Sequence, residues 1–479
     1  MKIFIVNPFF CIDFCKSARW FCRSRGRVQR HPDYLLEAVA QLEQDGHICR
    51  FIDAACKNLP HQEVLEVVGD FQPDMVVIQT TTPSIYSDLD FAFGCKQLLK
   101  DKVRIVLVGA HVSTEPEDTF SIGRDCFDVI AIGEYDLTLK ELASGKDLSE
   151  VRGICYLQNG RLVKNTNQQL IENLDELEFP AWQHIDPYDY HDAGKLYPFL
   201  TLLGSRGCEG TCSFCLFPQL MYGRRQRVKS PQRILDEVEY DYKLFPRLKE
   251  IMFEDDTLVS FSNRARLEEL CLKIQRRNLR FVWSANARPD FVDEKLFLLM
   301  KKSGCRMLCV GFESASEKLL AVLGKPLNLE TMKGFSRAAR KAGLRLHGCF
   351  MFGAPGETKE SCLATIDFAQ SLPLDSVQFS GVCPYPGTAL YCWAKAKGFL
   401  LPRTWQEWVD KNGEQVTVLE YPQLKKEEID HFIDQGLCRF YFRPKKILQA
   451  FLFWTRSPAE LKSKLYGVFR YLWYLIGKR

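Results

Sequence analysis

The stretch Gly204-Ser205-Arg206-Gly207-Cys208-Glu209-Gly210-Thr211-Cys212-Ser213-Phe214-Cys215 decides how the rest of this chain is read. It spaces three thiols as C-x3-C-x2-C in a glycine-rich loop, directly after the apolar run Phe199 to Leu203, which reads as a strand. Three thiols this close can each give a thiolate to one metal centre. An iron–sulfur cluster normally takes four protein ligands, and structural zinc takes four from Cys or His, usually as two separated pairs. Here three ligands stand together with no fourth nearby. A zinc knuckle, or three loop thiols with no ligand, is the plainer alternative.

A cubane held by three thiolates keeps one iron open to chelate a substrate or cofactor. The spacing, with Phe214 before the last cysteine, resembles the signature of the radical S-adenosylmethionine (radical SAM) enzymes. The resemblance implies that Cys208, Cys212 and Cys215 hold a [4Fe-4S] cluster. The open iron would bind the amino and carboxylate groups of SAM, which is cleaved to a 5'-deoxyadenosyl radical.

The length of 479 residues leads us to expect two or three domains. A hydrophobic share of 46% is ordinary for a globular chain, and a net charge of +4 gives no global pointer to nucleic acid. Nineteen cysteines are spread along the chain behind an opening apolar run, Met1 to Val6, too short for a secretory signal. The expected setting is a reducing cytosol without a disulfide framework. No apolar run reaches the length of a membrane span.

Residues 1 to about 150 alternate strands and helices. Strands are expected at Lys2 to Asn7, Ile48 to Asp53, Met75 to Thr80, Arg104 to Gly109 and Val129 to Ile132. Helices fall around Asp33 to Gln44, Gln62 to Gly69 and Asp88 to Leu99. The pattern predicts a doubly wound parallel α/β sheet whose ligand sits beyond the carboxyl ends of its strands. The mouth residues would be Asn7-Pro8, Asp53, Thr80 to Thr82, Gly109-Ala110-His111-Val112 and Gly133-Glu134. No G-x-G-x-x-G follows the first strand, which argues against a dinucleotide. The loops carrying Gly109, His111, Gly133 and Glu134 instead resemble the cobalamin (B12)-binding domain that precedes many radical SAM barrels. D-x-H-x-x-G is absent, so cobalamin would bind with no protein histidine at cobalt. His111 could equally be a strand-end histidine satisfied by backbone. Cys11, Cys15 and Cys22 read as loop thiols before a second cluster, and Lys16 to Arg30, basic without an acid, as a solvated or anion-facing loop.

Residues 151–198 read as a connector with a hairpin turning at Asn159-Gly160. Residues 199–398 hold six strand-helix units, with strands at Phe199 to Gly204, Glu250 to Glu254, Arg280 to Ala285, Met307 to Glu313, Leu346 to Phe352 and Ser376 to Val382. This predicts a partial (β/α)6 barrel with its active site at the carboxyl ends. Glu254-Asp255-Asp256, Asn286-Ala287-Arg288, Glu313, Gly353-Ala354-Pro355-Gly356-Glu357 and Pro384 to Thr388 fall there. By resemblance, Glu254, Asp255 and Glu313 lie near the SAM amino group and ribose, and Gly353 lies beside the adenine. Arg288 could supply a cation for the SAM carboxylate. As structure alone, the acids would cap a helix and the glycines turn the chain.

Residues 399–479 are expected to form a helical carboxyl-terminal extension. Leu424 to Leu437 has a helical pattern, and beyond Pro444 aromatic and basic residues interleave. That tail either covers the core or lies on an anionic membrane surface. Together the domains resemble the cobalamin-binding radical SAM branch that includes the anaerobic magnesium-protoporphyrin monomethyl ester cyclase and hopanoid- and lipid-modifying enzymes. The implied activity is methylation or oxidative cyclisation at an unactivated carbon of a hydrophobic small molecule. An external electron donor such as flavodoxin or ferredoxin is implied, and no nucleic acid; the enzyme would be cytoplasmic, with peripheral contact at the inner face of the membrane. The rivals are a radical SAM enzyme without cobalamin and a cobalamin- or metal-binding regulator without turnover.

Overall fold

Strand alternation builds the amino-terminal half. In the computed structural model, which describes residues 1–17, 21–444 and 446, β1 (Lys2–Asn7), β2 (Ile48–Asp53), β3 (Met75–Gln79), β4 (Arg104–Val108) and β5 (Val129–Ala131) pair in parallel in the order β2-β1-β3-β4-β5. Successive side chains go to opposite faces. Ile3, Ile5, Val77 and Val106 enter one core, while Phe4, Val6, Val76 and Leu107 enter a second core on the other face. A sheet buried on both faces reads as continuous apolar runs, as these strands do. The strand order reverses between β1 and β3, which places the ligand crevice outside their carboxyl ends.

The hairpin assigned from sequence to the connector extends this sheet. Its strands β6 (Ile154–Gln158) and β7 (Arg161–Lys164) add antiparallel beside β5, so the seven-stranded sheet is mixed at that edge.

The second sheet has six parallel strands in the order β13-β12-β11-β10-β9-β8. They are β8 (Phe199–Leu202), β9 (Glu250–Phe253), β10 (Trp283–Ala287), β11 (Cys305–Glu313), β12 (Arg345–Phe352) and β13 (Ser376–Gly381). The third of these starts at Trp283 rather than Arg280. Its outward residues, among them Ile251, Phe253, Trp283, Leu308, Leu346 and Phe350, join the core under the helices. The alternate positions carry Thr201, Met252, Ser284, Cys309, His347 and Cys349, whereas a filled barrel packs branched aliphatics there. Cys309, His347 and Cys349 are partly exposed, so the inner wall lines an open lumen.

Two stretches close the open side of this half barrel. Asp33, the first residue of the helix Asp33–Gln44, accepts a hydrogen bond from Thr201 on β8, and Arg30 pairs with Asp192 of the connector at 2.8 Å. The helix Lys426–Tyr441 covers β13 and fulfils the helical reading of the extension, its Tyr441 hydroxyl bonding both backbone groups of Val377. The aromatic and basic stretch beyond 446 lies outside the described residues. Among them no helix is long and apolar enough to cross a membrane.

Candidate active site

The cysteine loop hangs on a buried stem. Ser205–Arg206 pairs antiparallel with Arg227–Val228. Gly207 follows at φ +85°, where a Cβ would stand 2.5 Å from the Arg225 carbonyl oxygen, so the turn into the loop requires glycine. Beyond it, the Gly210 N–H points to Cys208 Sγ at 3.4 Å, and Arg224 donates to the Gly210 carbonyl at 2.7 Å. The Gln219 amide gathers the carbonyls of Cys212, Ser213 and Cys215 at 3.3, 3.2 and 2.6 Å. From the barrel, the Leu323 carbonyl accepts from the Ser213 N–H at 2.8 Å.

The three thiols fit an iron–sulfur cluster. They are partly exposed, whereas Cys15, Cys22 and Cys305 are buried and burial pushes those thiols up, which opposes thiolate formation. Gly210 leaves room between them: a Cβ there would meet Cys208 Sγ at 3.3 Å and Cys212 Sγ at 3.8 Å. Among the described residues no three donors converge on one metal ion. A cubane does not need that convergence, because each thiolate meets a different iron.

Beside the sulfurs the structure gathers opposite charges. Arg288 Nη1 lies 3.7 Å from the position a Gly210 Cβ would take, and Arg288 Nε pairs with Asp290 at 2.9 Å. Glu313 ends β11 at φ +65°, beyond a register break, and its carboxylate accepts from Lys325 Nζ at 2.7 Å. Lys325, which also donates to the Gly311 carbonyl at 2.8 Å, lies near enough to Cys212 to feel its charge. Two cations and a carboxylate at the edge of a thiol loop suit the ends of an amino acid zwitterion. Lys325 escaped the sequence reading because nothing local marks it.

Other residues singled out from sequence are buried or bonded within the protein. Asp255 is buried; it accepts from the Gly204 N–H at 3.0 Å and the Ser205 hydroxyl at 2.5 Å and so holds the stem. Gly353, at φ +90°, donates its N–H to Glu357 at 2.6 Å, and its carbonyl accepts from the Tyr421 hydroxyl at 2.9 Å, which holds this turn in place. Glu254 is buried at the carboxyl end of β9, close to Arg30.

Glu134 belongs to a buried ion cluster joining the two halves. Arg206 bonds Glu37 at 2.6 Å, Asp136 at 2.9 Å and Glu134; Arg227 reaches Glu134 at 2.8 Å; and Lys229 reaches Glu237 at 2.7 Å and Glu37 at 3.4 Å. Burial pushes the Glu37 carboxyl up, but Arg206 and Lys229 outweigh it and leave the group below its ordinary value. The stem of the cysteine loop is thereby fastened to the amino-terminal sheet.

At the β1/β3 switch a cavity opens, lined by Lys16, Tyr34, Gln79, Gly109 and Tyr135 on one side and by Phe217, Met221 and Tyr222 on the other. Phe217 lies in the helix Leu216–Leu220, which starts directly after Cys215. Gly109, at φ +114°, would put a Cβ 2.5 Å from the Thr80 carbonyl oxygen. Gly133, at φ +68°, turns its loop beside this helix, where a Cβ would stand 3.5 Å from the Leu220 carbonyl oxygen. Gln79 Oε1 is buried and has no hydrogen-bond partner among the described residues, an orphan at the mouth that a polar ligand would satisfy. The crevice, about 30 Å³ as it stands, sets that orphan acceptor and an aromatic wall between the sheet and the cysteine loop, where a ligand of the sheet's carboxyl edge would lie. His111 does not line it; the ring sits edge-on to Trp405 at 4.9 Å with Nδ1 3.3 Å from the Thr82 hydroxyl, and burial pulls it down to about 3, so it stays neutral.

A half barrel carrying a three-thiol loop, joined to a doubly wound sheet whose crevice abuts that loop, suits an enzyme that brings an iron–sulfur cluster beside a second large cofactor. Residues 202–369 match the Radical SAM superfamily and residues 29–143 the B12 binding domain. An uncharacterized methyltransferase of Pyrococcus horikoshii is 32% identical over 425 residues, 87% of this chain and 89% of that one. The anaerobic magnesium-protoporphyrin IX monomethyl ester cyclase of Cereibacter sphaeroides is 27% identical over 71% of this chain and 56% of its own. The radical SAM methyltransferase TsrM of Kitasatospora setae, solved with cobalamin and a [4Fe-4S] cluster, superposes with a TM-score of 0.69 at 17% identity over 93% of this chain and 90% of that one, a likeness of fold. The chain belongs to the cobalamin-binding radical SAM family. It is an enzyme whose cofactors are a [4Fe-4S] cluster, SAM and cobalamin, acting on a small molecule; the readings without cobalamin or without turnover are not favoured.

Proposed function

We propose that this enzyme methylates an unactivated carbon of a small molecule held in the barrel lumen. One observation carries this reading: the helix Leu216–Leu220 leaves Cys215 and immediately forms a wall of the crevice at the sheet's carboxyl edge, so the cluster loop and the corrin site share an element. The long match to a methyltransferase supports methyl transfer over cyclisation. When bound, the cofactors supply a 5'-deoxyadenosyl radical, which removes hydrogen from carbon, and a methyl group to replace it.

The chain's own part is to bind and orient. Cys208, Cys212 and Cys215 hold the cluster. Arg288, Glu313 and Lys325 hold the amino acid end of SAM, with Glu254 toward the ribose. Gly109 and Gly133, both at positive φ, shape the loops that would receive the corrin beside the cysteine loop. In this reading Asp255, Glu134 and Gly353 position these groups without touching them, and His111 props the β4 loop. The working units are 1–150, with the hairpin added to its sheet, the connector to 198, the barrel 199–398 and the extension 399–479. An external one-electron donor of the flavodoxin or ferredoxin kind completes the system. The polar inner wall weighs against the hydrophobic substrate expected from sequence, and membrane contact through the tail has no support among the described residues.

The test is anaerobic incubation of cluster- and cobalamin-loaded enzyme with methyl-deuterated SAM, a reductant and extract of the source cells. Cobalamin-dependent 5'-deoxyadenosine and S-adenosylhomocysteine with a labelled product are expected. Deoxyadenosine without S-adenosylhomocysteine would replace methylation by cyclisation, and neither product would end the enzyme reading. The Cys208→Ala, Cys212→Ala, Cys215→Ala triple variant should lose cluster absorbance and SAM cleavage together.

A further inference from the structure

The floor of the lumen, at the opposite end from the cysteine loop, has charged groups that neither cofactor uses. Glu250, first residue of β9, accepts from Arg306 at 2.7 Å, from the Ser284 hydroxyl at 2.5 Å and from the Leu196 N–H at 2.8 Å, so its charge is matched. Asp192 is matched by Arg30 at 2.8 Å. Lys195 remains. Its side chain is only 4% exposed, yet its ammonium meets just the Ser284 hydroxyl at 3.0 Å and the Met252 sulfur at 2.8 Å, and among the described residues no carboxylate pairs with it. Burying an ammonium without an anion is costly. A thioether is a weak acceptor, and one hydroxyl leaves the ammonium without an anion in direct contact.

Four inward residues, Met252, Ser284, His347 and Cys309, place Lys195 in the lumen. Met252 and Ser284 are register partners on the inward face of β9 and β10. Arg30, Asp192 and Lys195 all act electrostatically on His347 and on Cys309, which sit side by side on β12 and β11 and are partly exposed. The His347 ring, pulled down to about 4 chiefly by burial, is neutral, with Nδ1 2.8 Å from the Ser376 hydroxyl; it adds a polar contact and no charge. Glu254 and Asp192 both act on Arg30, and Asp192 feels Lys195 only from beyond pairing distance, so no carboxylate of the described residues meets the Lys195 ammonium directly.

We propose that the lumen floor is a substrate subsite for an anionic group, a carboxylate or a phosphate, received by Lys195 with Arg30 beside it. The substrate is then a polar molecule with an acidic end. It enters from the carboxyl ends of the strands with that end foremost, so that a carbon further along the molecule stops level with the cysteine loop. The proposal rests on the reading of the barrel as the site of methylation and narrows its substrate class.

The test uses the full chain loaded with cluster and cobalamin. Acetate is the probe, followed by saturation-transfer NMR of its methyl protons, with inorganic phosphate as competitor. Acetate should show a saturable signal, displaced by phosphate if the floor takes either oxyanion and resistant to phosphate if it takes only a carboxylate. Lys195→Met should weaken binding by about tenfold or more, as loss of one partner of a buried charge pair does, and Lys195→Arg should retain most of it. No saturable signal in the wild type, or equal signals in the wild type and Lys195→Met, would overturn the proposal. If Lys195→Met fails to take up cluster, Lys195→Gln with Lys195→Arg as the charge-keeping control gives the same comparison. SAM cleavage by the wild type is scored separately, so failure of the methylation reading is distinguishable from failure of the anion site.

Discussion

Replacing Arg206 by Met tests how the two halves are held. Arg206 is almost wholly buried and is the shared partner of Glu37, Asp136 and Glu134. Met keeps much of the aliphatic bulk and removes the charge. Arg227 and Lys229 still reach Glu134 and Glu37, but Asp136 is left without its cation. Breaking a buried ion cluster by removing one partner costs about 3–5 kcal/mol, and two remaining cations place this variant toward the lower figure. The depressed Glu37 carboxyl contributes stability that is present above its ordinary value near 4.5 and lost as pH falls through its folded value. In Arg206→Met burial regains the upper hand, so the orphaned acids are costly when ionised and are relieved by protonation. The deficit in urea midpoint, followed by tryptophan fluorescence on cluster-loaded protein, should therefore be larger at pH 8 than at pH 5. Cluster retention should fall with it, since Arg206 lies in the stem of the loop. A variant within about 1 kcal/mol of wild type at both pH values, the scale of exposed ion pairs, would show that water screens this cluster and refute the reasoning.

Glu357 is pushed up to about 7 by burial, against the pull of the Ala354 and Gly353 N–H groups. The folded state therefore holds a proton that the unfolded chain releases near 4.5, and stability should fall from pH 5 to pH 8; Glu357→Gln should remove up to about 3 kcal/mol of that fall in urea midpoints. Glu313→Gln should weaken SAM binding by about tenfold, or about 1.4 kcal/mol, in equilibrium dialysis with cluster-loaded enzyme. Lys325→Met should act in the same direction, and unchanged affinity in both would remove the pair from the SAM site. Gly109→Ala forces a methyl group against the Thr80 carbonyl oxygen at a positive φ, costing about 1 kcal/mol or more. Lower cobalamin retention on gel filtration would check it, and full retention at unchanged stability would deny the tight approach.

Much of this protein is legible in its sequence because the deciding forces are local. Lys2–Asn7, Asp33–Gln44 and Ile48–Asp53 match their sequence readings to the residue, since period-2 and period-3.6 burial patterns need no distant partner. The cysteine loop is equally plain: three thiols spaced for one cluster lie within eight residues, and glycine marks the turns the backbone must make. Phe281 and Val282 look like strand from their apolarity, yet pairing begins at Trp283, because where a ladder starts is set by the neighbouring strand.

Side chains whose role depends on distant partners could not be read that way. Glu134 and Asp255 stand at strand ends like ligand residues, but Arg206 and Arg227 claim the first, and the Gly204–Ser205 stem the second. Lys195, Arg30 and Lys325 have no motif; their charges acquire meaning only where the closed half barrel brings them near Ser284, Asp192 and Glu313. Spacing along the chain thus determined the class of chemistry, because cluster ligands and strand alternation are short-range. Which charges are paired within the protein and which lack a direct partner was decided by the tertiary structure, because the strength of a charge depends on what is buried beside it.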